Sequence, residues 1–267
     1  MCLLGENFSI VITNRRLQTL TNNCKRLFIA FIFELAAILK TTIKQQATMV
    51  TSNILQRTFL IKYHINIGTA FTIEKKDKQF LVSTKHTFFF CKSGDEVKFN
   101  IKRNNEWNEV TARIYFHKSN SVDIALLELA HDISPRHPIN IGTKGIILSQ
   151  DAFFIGYPYG RFMEDTGYIN NGFPIPFVKK GIFSTIPFST GDNQIFFLDG
   201  INNPGFSGGP CVFTNQDKQT PTVCGVVKGY LPHEIDVKTQ LGNYTIEENS
   251  GLVEVHSIDF INEIDTE

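Results

Sequence analysis

The amino-acid sequence predicts an all-β protein whose short strands form a sandwich or a pair of barrels. Apolar and polar residues alternate over short runs, and turn residues separate those runs. The chain of 267 residues also contains 24 phenylalanines, 19 glycines and 10 prolines. Alternation is the period of a half-buried strand, aromatic residues favour strands, and glycine and proline favour turns. Regular short strands with turns between them are typical of sandwiches and barrels.

The first alternating run places Phe59, Ile61 and Tyr63 on one face. A charged turn at 74–78 follows the second run, and a buried strand is predicted at 124–129. The full set of predicted strands covers residues 58–63, 68–73, 80–83, 97–101, 124–129, 152–155, 177–186, 194–198, 211–214, 222–228 and 251–255.

A short helix is predicted at the C-terminal end of the chain. Ile258, Ile261 and Ile264 recur with helical spacing within residues 257–264. This spacing places the three isoleucines on one face of a helix.

Composition excludes some classes of protein. The 26 basic residues balance the 26 acidic ones, so charge offers no argument for nucleic acid or an anionic membrane surface. A hydrophobic content of 42% excludes a mostly disordered chain. Five cysteines lack the spacing of a zinc site, so we expect buried thiols in a reducing compartment. A Cys211–Cys224 bridge remains open as a minority alternative.

Residues 1–48 differ from the rest of the chain. Basic residues predominate, and residues 27–39 form an apolar run that is shorter than the roughly 20 residues of a spanning helix. Three interpretations stay open: a poor signal or anchor, an amphipathic helix, and sequence upstream of a start at Met49. The last is preferred slightly, which gives a domain at 49–267. A cytoplasmic location follows if translation starts there and the thiols stay reduced.

The strongest chemical signal is the run GFSGGP at 205–210. A nucleophilic serine must project from a tight turn, and backbone N–H groups beside it must point at the developing oxyanion. Glycines around Ser207 permit both. His86 follows one predicted strand and Asp123 precedes another, so the chain also offers a base and a carboxylate.

In these residues the sequence resembles the chymotrypsin-fold serine proteases, most closely the trypsin-like domain of their HtrA-like branch. The resemblance covers residues from about Gln56 to Ile264. It is carried by these motifs: GTAF at 68–71, the strand ending in His86 at 80–86, VDIALL at 122–127, IGYP at 155–158, KGIFS at 180–184, NPGFSGGP at 203–210 and the closing segment at 250–264.

The resemblance implies two six-stranded antiparallel β-barrels, at about 55–140 and 141–257, followed by the short helix. It implies a triad of His86, Asp123 and Ser207, with an oxyanion hole formed by the N–H groups of Gly205 and Ser207. The implied activity is hydrolysis of polypeptides through an acyl-enzyme. No cofactor, metal, nucleic acid or membrane span is expected, and the oligomeric state is not predicted.

Three departures from the family pattern limit what the resemblance implies. Phe206 stands where trypsin has an aspartate, so activation by a new N-terminus is not expected, and whether Phe206 permits an active loop stays open. Lys85 replaces a small residue before His86. The C-terminal segment is also expected to leave no room for a PDZ domain.

Specificity is read from four positions near the expected pocket. Ile201 takes the position of a pocket-floor residue, which favours an apolar P1 side chain over arginine or lysine. Val227, Lys228 and Gly229 are expected to pair with substrate backbone and to wall the pocket. Lys228 offers the alternative of an acidic P1 residue, although a solvent-facing lysine is the preferred interpretation.

Two other functions are open at this stage. The run GFSGG also fits the GxSxG elbow of α/β-hydrolases, for which Asp236 and His256 would complete the order serine, acid, histidine. A protease-like module that binds an extended peptide without cleaving it is the second alternative. The remaining histidines lack the spacing of metal ligands, and surface or loop roles are expected for them: His64, His117, His131, His137 and His233.

Overall fold

The computed structural model describes residue 34 and residues 50–165, 167, 169–186, 195–215, 220–239 and 242–266. Apart from residue 34, these residues belong to one compact unit, Thr48–Glu267. The expectations for residues 1–48 therefore lie outside the described residues, residue 34 excepted. Within the described part of the chain, no helix is long and apolar enough to cross a membrane.

Strands dominate the secondary structure. In chain order the elements are helix α1 (Ser52–Gln56), strands β1 (Thr58–Tyr63), β2 (Asn66–Lys75) and β3 (Lys78–Ser83), the 3-10 helix η1 (Lys85–Phe88), strands β4 (Glu96–Arg103), β5 (Glu106–Phe116), β6 (Ala125–Leu129), β7 (Asn140–Ile141) and β8 (Asp151–Gly156), η2 (Pro158–Gly160), strands β9 (Phe177–Phe183), β10 (Ile195–Asp199), β11 (Pro210–Asn215), β12 (Thr220–Thr239) and β13 (Gly242–Ser257), and η3 (Ile258–Glu263).

Strands β1 to β6 close into a barrel in the order β1-β2-β3-β6-β5-β4. Neighbouring strands are antiparallel, and β1 closes against β4, where Ile61 lies opposite Ile101. Alternate residues of a strand point to opposite faces of a sheet, so one face of each strand fills the interior. Phe59, Ile61 and Tyr63 all lie in this core, as their alternation predicted.

The second barrel has the order β8-β9-β10-β13-β12-β11 and closes by pairing of β11 with β8. Strand β7 adds a short parallel pairing to β12. Aromatic side chains from several strands fill the interior, including Phe154, Phe183 and Phe213. The prediction of two six-stranded antiparallel barrels is confirmed. The α/β-hydrolase alternative is wrong, because it requires helices between parallel strands.

A third apolar core joins the two barrels. It combines Val82 and Leu126 of the first barrel with Val226 of the second, and the C-terminal turn packs on it. The predicted terminal helix is a 3-10 helix, η3, in which residues three apart eclipse each other. Ile258 and Ile261 therefore lie in one row against the core, and Ile264, which directly follows η3, is buried as well.

Lys75 ties the C-terminal turn to strand β2. Its ammonium donates to the carbonyl oxygens of Ile261 at 2.8 Å and of Ile264 at 2.6 Å. Hydrogen bonds from a charged donor are stronger than those from a neutral one, and losing the donor leaves both carbonyls without it.

We expect Lys75→Met to lower the free energy of unfolding by about 2 kcal/mol, measured by urea denaturation. The matched control is Lys78→Met on the next strand. Lys78 pairs with Glu128 but is 64% exposed, so its replacement should leave stability near the wild-type value. Equal losses in both variants would contradict the assigned role of Lys75.

The structure corrects the exposed surface position expected for His117. It is buried, its Nδ1 accepts the N–H of Ser119 at 3.1 Å, and its Nε2 lies 3.1 Å from the Glu263 carboxylate. The ring also packs edge-on against Phe260. The end of β5 meets the C-terminal turn here, which buries a histidine that the sequence places in a polar segment.

Cys211 and Cys224 lie on neighbouring strands, as a bridge between them would require. Their sulfur atoms are 3.6 Å apart, and both residues are free thiols in this structure. Both are buried, and burial raises the pKa of the Cys224 thiol, so the thiol form is favoured.

Strands β12 and β13 extend beyond the barrel as a two-stranded ribbon. Pairing continues from Pro232 opposite Asn249 to Thr239 opposite Gly242. The sequence predicts a strand only up to Lys228, because Pro232 and the charged residues after it are poor strand signals. The ribbon is therefore a feature that the tertiary structure adds.

Candidate active site

His86 and Asp123 are brought together by the pairing of strands β3 and β6. His86 lies in η1 just after β3, and Asp123 lies two residues before β6. The strands are antiparallel, with Ser83 opposite Ala125, so the chain leaves β3 beside the point where it enters β6. Residues just outside these two strand ends are therefore neighbours.

Both carboxylate oxygens of Asp123 bind His86. Nδ1 of the ring lies 2.5 Å from Oδ2, and the backbone N–H of His86 donates to Oδ1 at 2.8 Å. An ionised carboxylate only accepts hydrogen bonds, so the neutral ring carries its proton on Nδ1 and keeps Nε2 as an acceptor. The side chain of Asp123 is 13% exposed and that of His86 is 50% exposed, so the ring reaches solvent.

The loop that carries Ser207 depends on glycines. Gly205 and Gly208 have φ values of +104° and +85°. A Cβ on Gly208 would lie 2.0 Å from the carbonyl oxygen of Thr69, and one on Gly205 would lie 2.2 Å from that of Tyr157. Only residues without a side chain allow this conformation and this close approach, which brings the loop against the first barrel.

Ser207 lies where the two barrels meet. Its carbonyl oxygen accepts the N–H of Thr69 in β2 at 2.9 Å. Its hydroxyl donates to the carbonyl oxygen of Lys228 in β12 at 2.8 Å. The structure thus joins His86 to Asp123 by hydrogen bonds, whereas the hydroxyl of Ser207 is directed to Lys228. Rotation about one side-chain bond redirects a serine hydroxyl, and catalytic hydrogen bonds often form only when substrate is bound.

The N–H groups of Gly205 and Ser207 have no acceptor among the described residues. The preceding carbonyl, that of Pro204, accepts the N–H of Tyr159 at 2.6 Å. In a trans peptide unit the C=O and N–H point in opposite directions. Because the Pro204 carbonyl is held by Tyr159, the N–H of Gly205 points away from that segment and is free to bind an anion.

Phe206 anchors the serine loop in the second barrel. Its side chain is fully buried and packs edge-on against Phe154, with ring centroids 5.2 Å apart. The ammonium of Lys179 lies 5.8 Å from the centroid of the same ring. An apolar anchor therefore occupies the place where trypsin pairs an aspartate with its new N-terminus, and the N–H groups of Gly205 and Ser207 on either side of it have no acceptor in the described part of the chain.

Ile201, the residue at the expected pocket-floor position, is exposed on the segment before the serine loop. It is 62% exposed, and its carbonyl oxygen accepts a hydrogen bond from the ammonium of Lys179. The same ammonium donates to Oδ1 of Asn203 at 3.0 Å. Burial lowers the pKa of Lys179 from its ordinary value. Lys179 is thus a positive group beside the segment that precedes the serine loop, and sequence reasoning did not single it out.

The other three specificity positions lie consecutively on β12. Val227 is buried in the second barrel and exchanges backbone hydrogen bonds with Gly208 and Gly209. Lys228 occupies a β-bulge, and its ammonium lies 2.8 Å from the Glu254 carboxylate, so its charge is already compensated. Pairing of β12 with β11 ends at Val226 opposite Pro210, and Gly229 pairs with Glu254 of β13 on the other side. Among the described residues, the β11 side of β12 at Gly229 is therefore open to an added strand.

His256 is a buried histidine on which the charges of His86 and Asp123 act. It is fully buried, and neither ring nitrogen has a hydrogen-bond partner among the described residues. Burial lowers its pKa to about 4, and the charge of Asp123 opposes that shift. The sequence does not predict that His256 is buried without a hydrogen-bond partner, because it is one polar residue at the end of an apolar strand.

Two six-stranded barrels, with a histidine–aspartate pair on the first and a glycine-rich serine loop on the second, define the chymotrypsin-fold class of peptidases. The sequence matches the trypsin-like peptidase domain over residues 68–220, which is more than half of the chain, and the chain belongs to that family. It is therefore a protease by class, a hydrolase of peptide bonds. No curated protein matches the sequence at a significant level.

Several solved structures are similar in fold. The inactive form of Rv3671c from M. tuberculosis H37Rv, a serine-to-alanine mutant, is 14% identical, with a TM-score of 0.50 over 81% of this chain and 88% of that one. The HtrA-type protease AlgW with a tripeptide is 17% identical, with a TM-score of 0.49 over 79% of this chain and 60% of that one. The MamO protease domain from Magnetospirillum magneticum is 13% identical, with a TM-score of 0.45 over 79% of this chain and 96% of that one.

Proposed function

We propose that the chain is a serine endopeptidase that cleaves polypeptides through Ser207, His86 and Asp123. The observation that carries this proposal is the two-point contact between Asp123 and His86. That contact orients the ring and leaves Nε2 as a base. A histidine held in this tautomer is the activating partner that a serine nucleophile requires.

In the proposed first step, the Ser207 hydroxyl turns from the Lys228 carbonyl to Nε2 of His86. The ring accepts the hydroxyl proton as Oγ attacks the peptide carbonyl carbon. The carbonyl oxygen becomes an oxyanion, which the free N–H groups of Gly205 and Ser207 stabilise. Each such donor contributes about 3 kcal/mol to transition-state stabilisation in related sites.

In the second step, the imidazolium donates its proton to the leaving amine, and the carbon–nitrogen bond breaks. An ester between the acyl half of the substrate and Ser207 remains. Water then attacks this ester with His86 again as the base, which releases the acid and restores the hydroxyl. Asp123 stays ionised throughout and stabilises the imidazolium.

A module that binds peptides without cleaving them is the competing function. One observation favours it: the hydroxyl of Ser207 donates to the Lys228 carbonyl rather than to His86. The open edge of β12 at Gly229 would serve such a module equally well. The two functions differ in whether Ser207 becomes nucleophilic.

A fluorophosphonate probe distinguishes them, because it reacts covalently with an activated serine. We expect the wild type to be labelled at Ser207, as mapped by mass spectrometry of the labelled peptide. Labelling should be lost in Ser207→Ala and reduced by at least about 1,000-fold in His86→Ala. The matched control is Ser149→Ala, which changes an exposed serine of the loop before β8 and should be labelled as the wild type is.

Labelling that persists in Ser207→Ala would refute the assigned nucleophile. A folded wild type that binds peptides but is not labelled would favour the binding module.

A further inference from the structure

Five large apolar side chains are exposed on the segments that adjoin the serine loop and His86. Exposed fractions are 41% for Ile67, 50% for Phe89, 65% for Tyr159, 71% for Phe90 and 87% for Ile65. We call these five residues the apolar rim. They come from three separate segments: the turn between β1 and β2 with the start of β2, the residues after η1, and η2. Contiguous apolar side chains on a protein surface mark places where another apolar surface binds.

The rim is held in place by the residues beneath it. Phe89 and Phe90 follow η1, and their ring centroids are 3.9 Å apart. The ring of His64, in the β1–β2 turn, packs edge-on against Phe90 at 5.9 Å. The side-chain amide of Asn66, the first residue of β2, donates to the carbonyl of Thr87 in η1 at 3.4 Å. The exposed rings are therefore presented by two segments that are bonded to each other.

The rim is continuous with the cleft that contains Ser207. Ile67 directly precedes Gly68 and Thr69, and Thr69 donates its N–H to the carbonyl of Ser207. A Cβ on Gly160 would lie 3.4 Å from the Ile67 side chain, so η2 meets β2 at this point. The N–H of Tyr159 holds the Pro204 carbonyl of the serine loop. The rim therefore has Ile67 and Tyr159 beside the serine loop, and Phe89 and Phe90 on the segment that follows His86.

Ser207 separates the rim from the open edge of β12. The Ser207 hydroxyl contacts Lys228 on β12, and its carbonyl contacts Thr69, beside Ile67 of the rim. A polypeptide that crosses Ser207 with one half along β12 must direct its other half over the rim. In the proposed mechanism the half along β12 stays on the serine as the ester, and the other half leaves with a proton from His86.

We propose that the apolar rim binds the leaving-group half of the polypeptide substrate and selects apolar or aromatic side chains there. This inference rests on the proposed function and adds a substrate class to it. A membrane surface and a second copy of the chain are less favoured occupants. Ile67 and Tyr159 lie directly beside the serine loop, where a lipid surface or a second copy would cover the cleft.

The test uses Ser207→Ala protein, which binds peptides without cleaving them, and fluorescence anisotropy as the readout. One peptide carries phenylalanine and leucine in the four positions after the expected cleavage site, and its partner carries serine and glycine there. We expect the apolar peptide to bind at least about tenfold more tightly. Adding Phe89→Ser and Phe90→Ser should remove most of that preference.

The matched control is the pair Ile147→Ser and Leu148→Ser, two adjacent apolar residues that are 56% and 52% exposed on the loop before β8. This pair should keep the full peptide preference. In otherwise wild-type protein, the Ile147→Ser/Leu148→Ser variant should hydrolyse a short ester substrate with no residues after the cleaved bond at the wild-type rate. Unchanged circular dichroism in both double variants would show that folding is intact.

An unchanged peptide preference after Phe89→Ser/Phe90→Ser would overturn the inference. So would binding of the parent to lipid vesicles, or dimerisation by light scattering, that depends on Phe89 and Phe90 without any peptide preference. Failure of the proposed function has a different signature. The wild type would then resist the fluorophosphonate, while the peptide preference and its loss on substitution would still establish the rim as a binding surface.

Discussion

Replacing Asp123 by asparagine is expected to lower kcat for peptide hydrolysis by about 10⁴-fold. An asparagine Oδ1 can still accept the backbone N–H of His86, so the loop position is kept. Its amide NH₂ is a donor, however, and cannot accept the proton on Nδ1 of the ring. The ring then favours the tautomer with the proton on Nε2, where a base is needed, and the imidazolium loses its countercharge. Steady-state hydrolysis of a chromogenic peptide measures the change.

Asp132→Asn is the matched control for Asp123→Asn. Asp132 accepts hydrogen bonds from Arg136 in an exposed pair outside the cleft, so kcat should stay within about twofold of the wild type. The KM of Asp123→Asn should change little, because Asp123 is not expected to touch the substrate. A loss of less than about tenfold in kcat, with folding intact, would remove Asp123 from the mechanism.

The wild type is expected to lose about 3 kcal/mol of folding free energy through His256 as the pH falls from 7 to 4. Burial holds the pKa of His256 at about 4 in the folded protein, against an ordinary value of 6.5. Between pH 6.5 and pH 4, His256 is protonated in most unfolded chains and neutral in most folded ones. The stabilisation is therefore fully present above pH 6.5 and is lost as the pH falls towards 4.

The charged groups that act on His256 come from both barrels. Asp123 and Glu254 favour its protonated form, and Lys228 and His86 oppose it, but burial is the largest effect. The pKa difference between the folded and unfolded states therefore persists whichever of these groups is ionised. It also implies that His256 stays neutral at the pH where the proposed mechanism needs His86 as a base.

Urea unfolding at pH 7, 5.5 and 4 measures the effect in the wild type and in His256→Gln, whose side chain does not titrate. We expect the free energy of unfolding of the wild type to fall relative to that of His256→Gln as the pH falls. The change in this difference should be about 3 kcal/mol between pH 7 and pH 4. The matched control is His233→Gln, an exposed histidine on the ribbon, which should parallel the wild type. An NMR titration of the folded protein that places the His256 pKa near 6.5 would contradict this account.

Much of the fold follows from local patterns. Phe59, Ile61 and Tyr63 alternate because one face of β1 lines a barrel, and that alternation is visible without coordinates. The isoleucines at 258, 261 and 264 indicate a helix for a similar reason, although a spacing of three suits the 3-10 form that is observed. Features that repeat with the period of a secondary structure can be predicted from the sequence.

Pairings between distant segments cannot be predicted from local patterns. The sequence offers His86 and Asp123 as candidates, but their two-point contact depends on β3 pairing with β6. The burial of His117 depends on the C-terminal turn packing against the end of β5, and that of His256 depends on the elements that pack around β13. A polar residue carries no local mark that separates an exposed position from a buried one.

Local sequence is enough to predict the strand-rich class, the glycine-rich serine loop and the order of the candidate catalytic residues, because each depends on neighbours along the chain. Contacts between distant segments direct the Ser207 hydroxyl to Lys228, leave Ile201 exposed, extend β12 and β13 as a ribbon and present the five apolar side chains of the rim. These features arise where segments far apart in the chain come together, and packing between such segments has no period that a sequence can display.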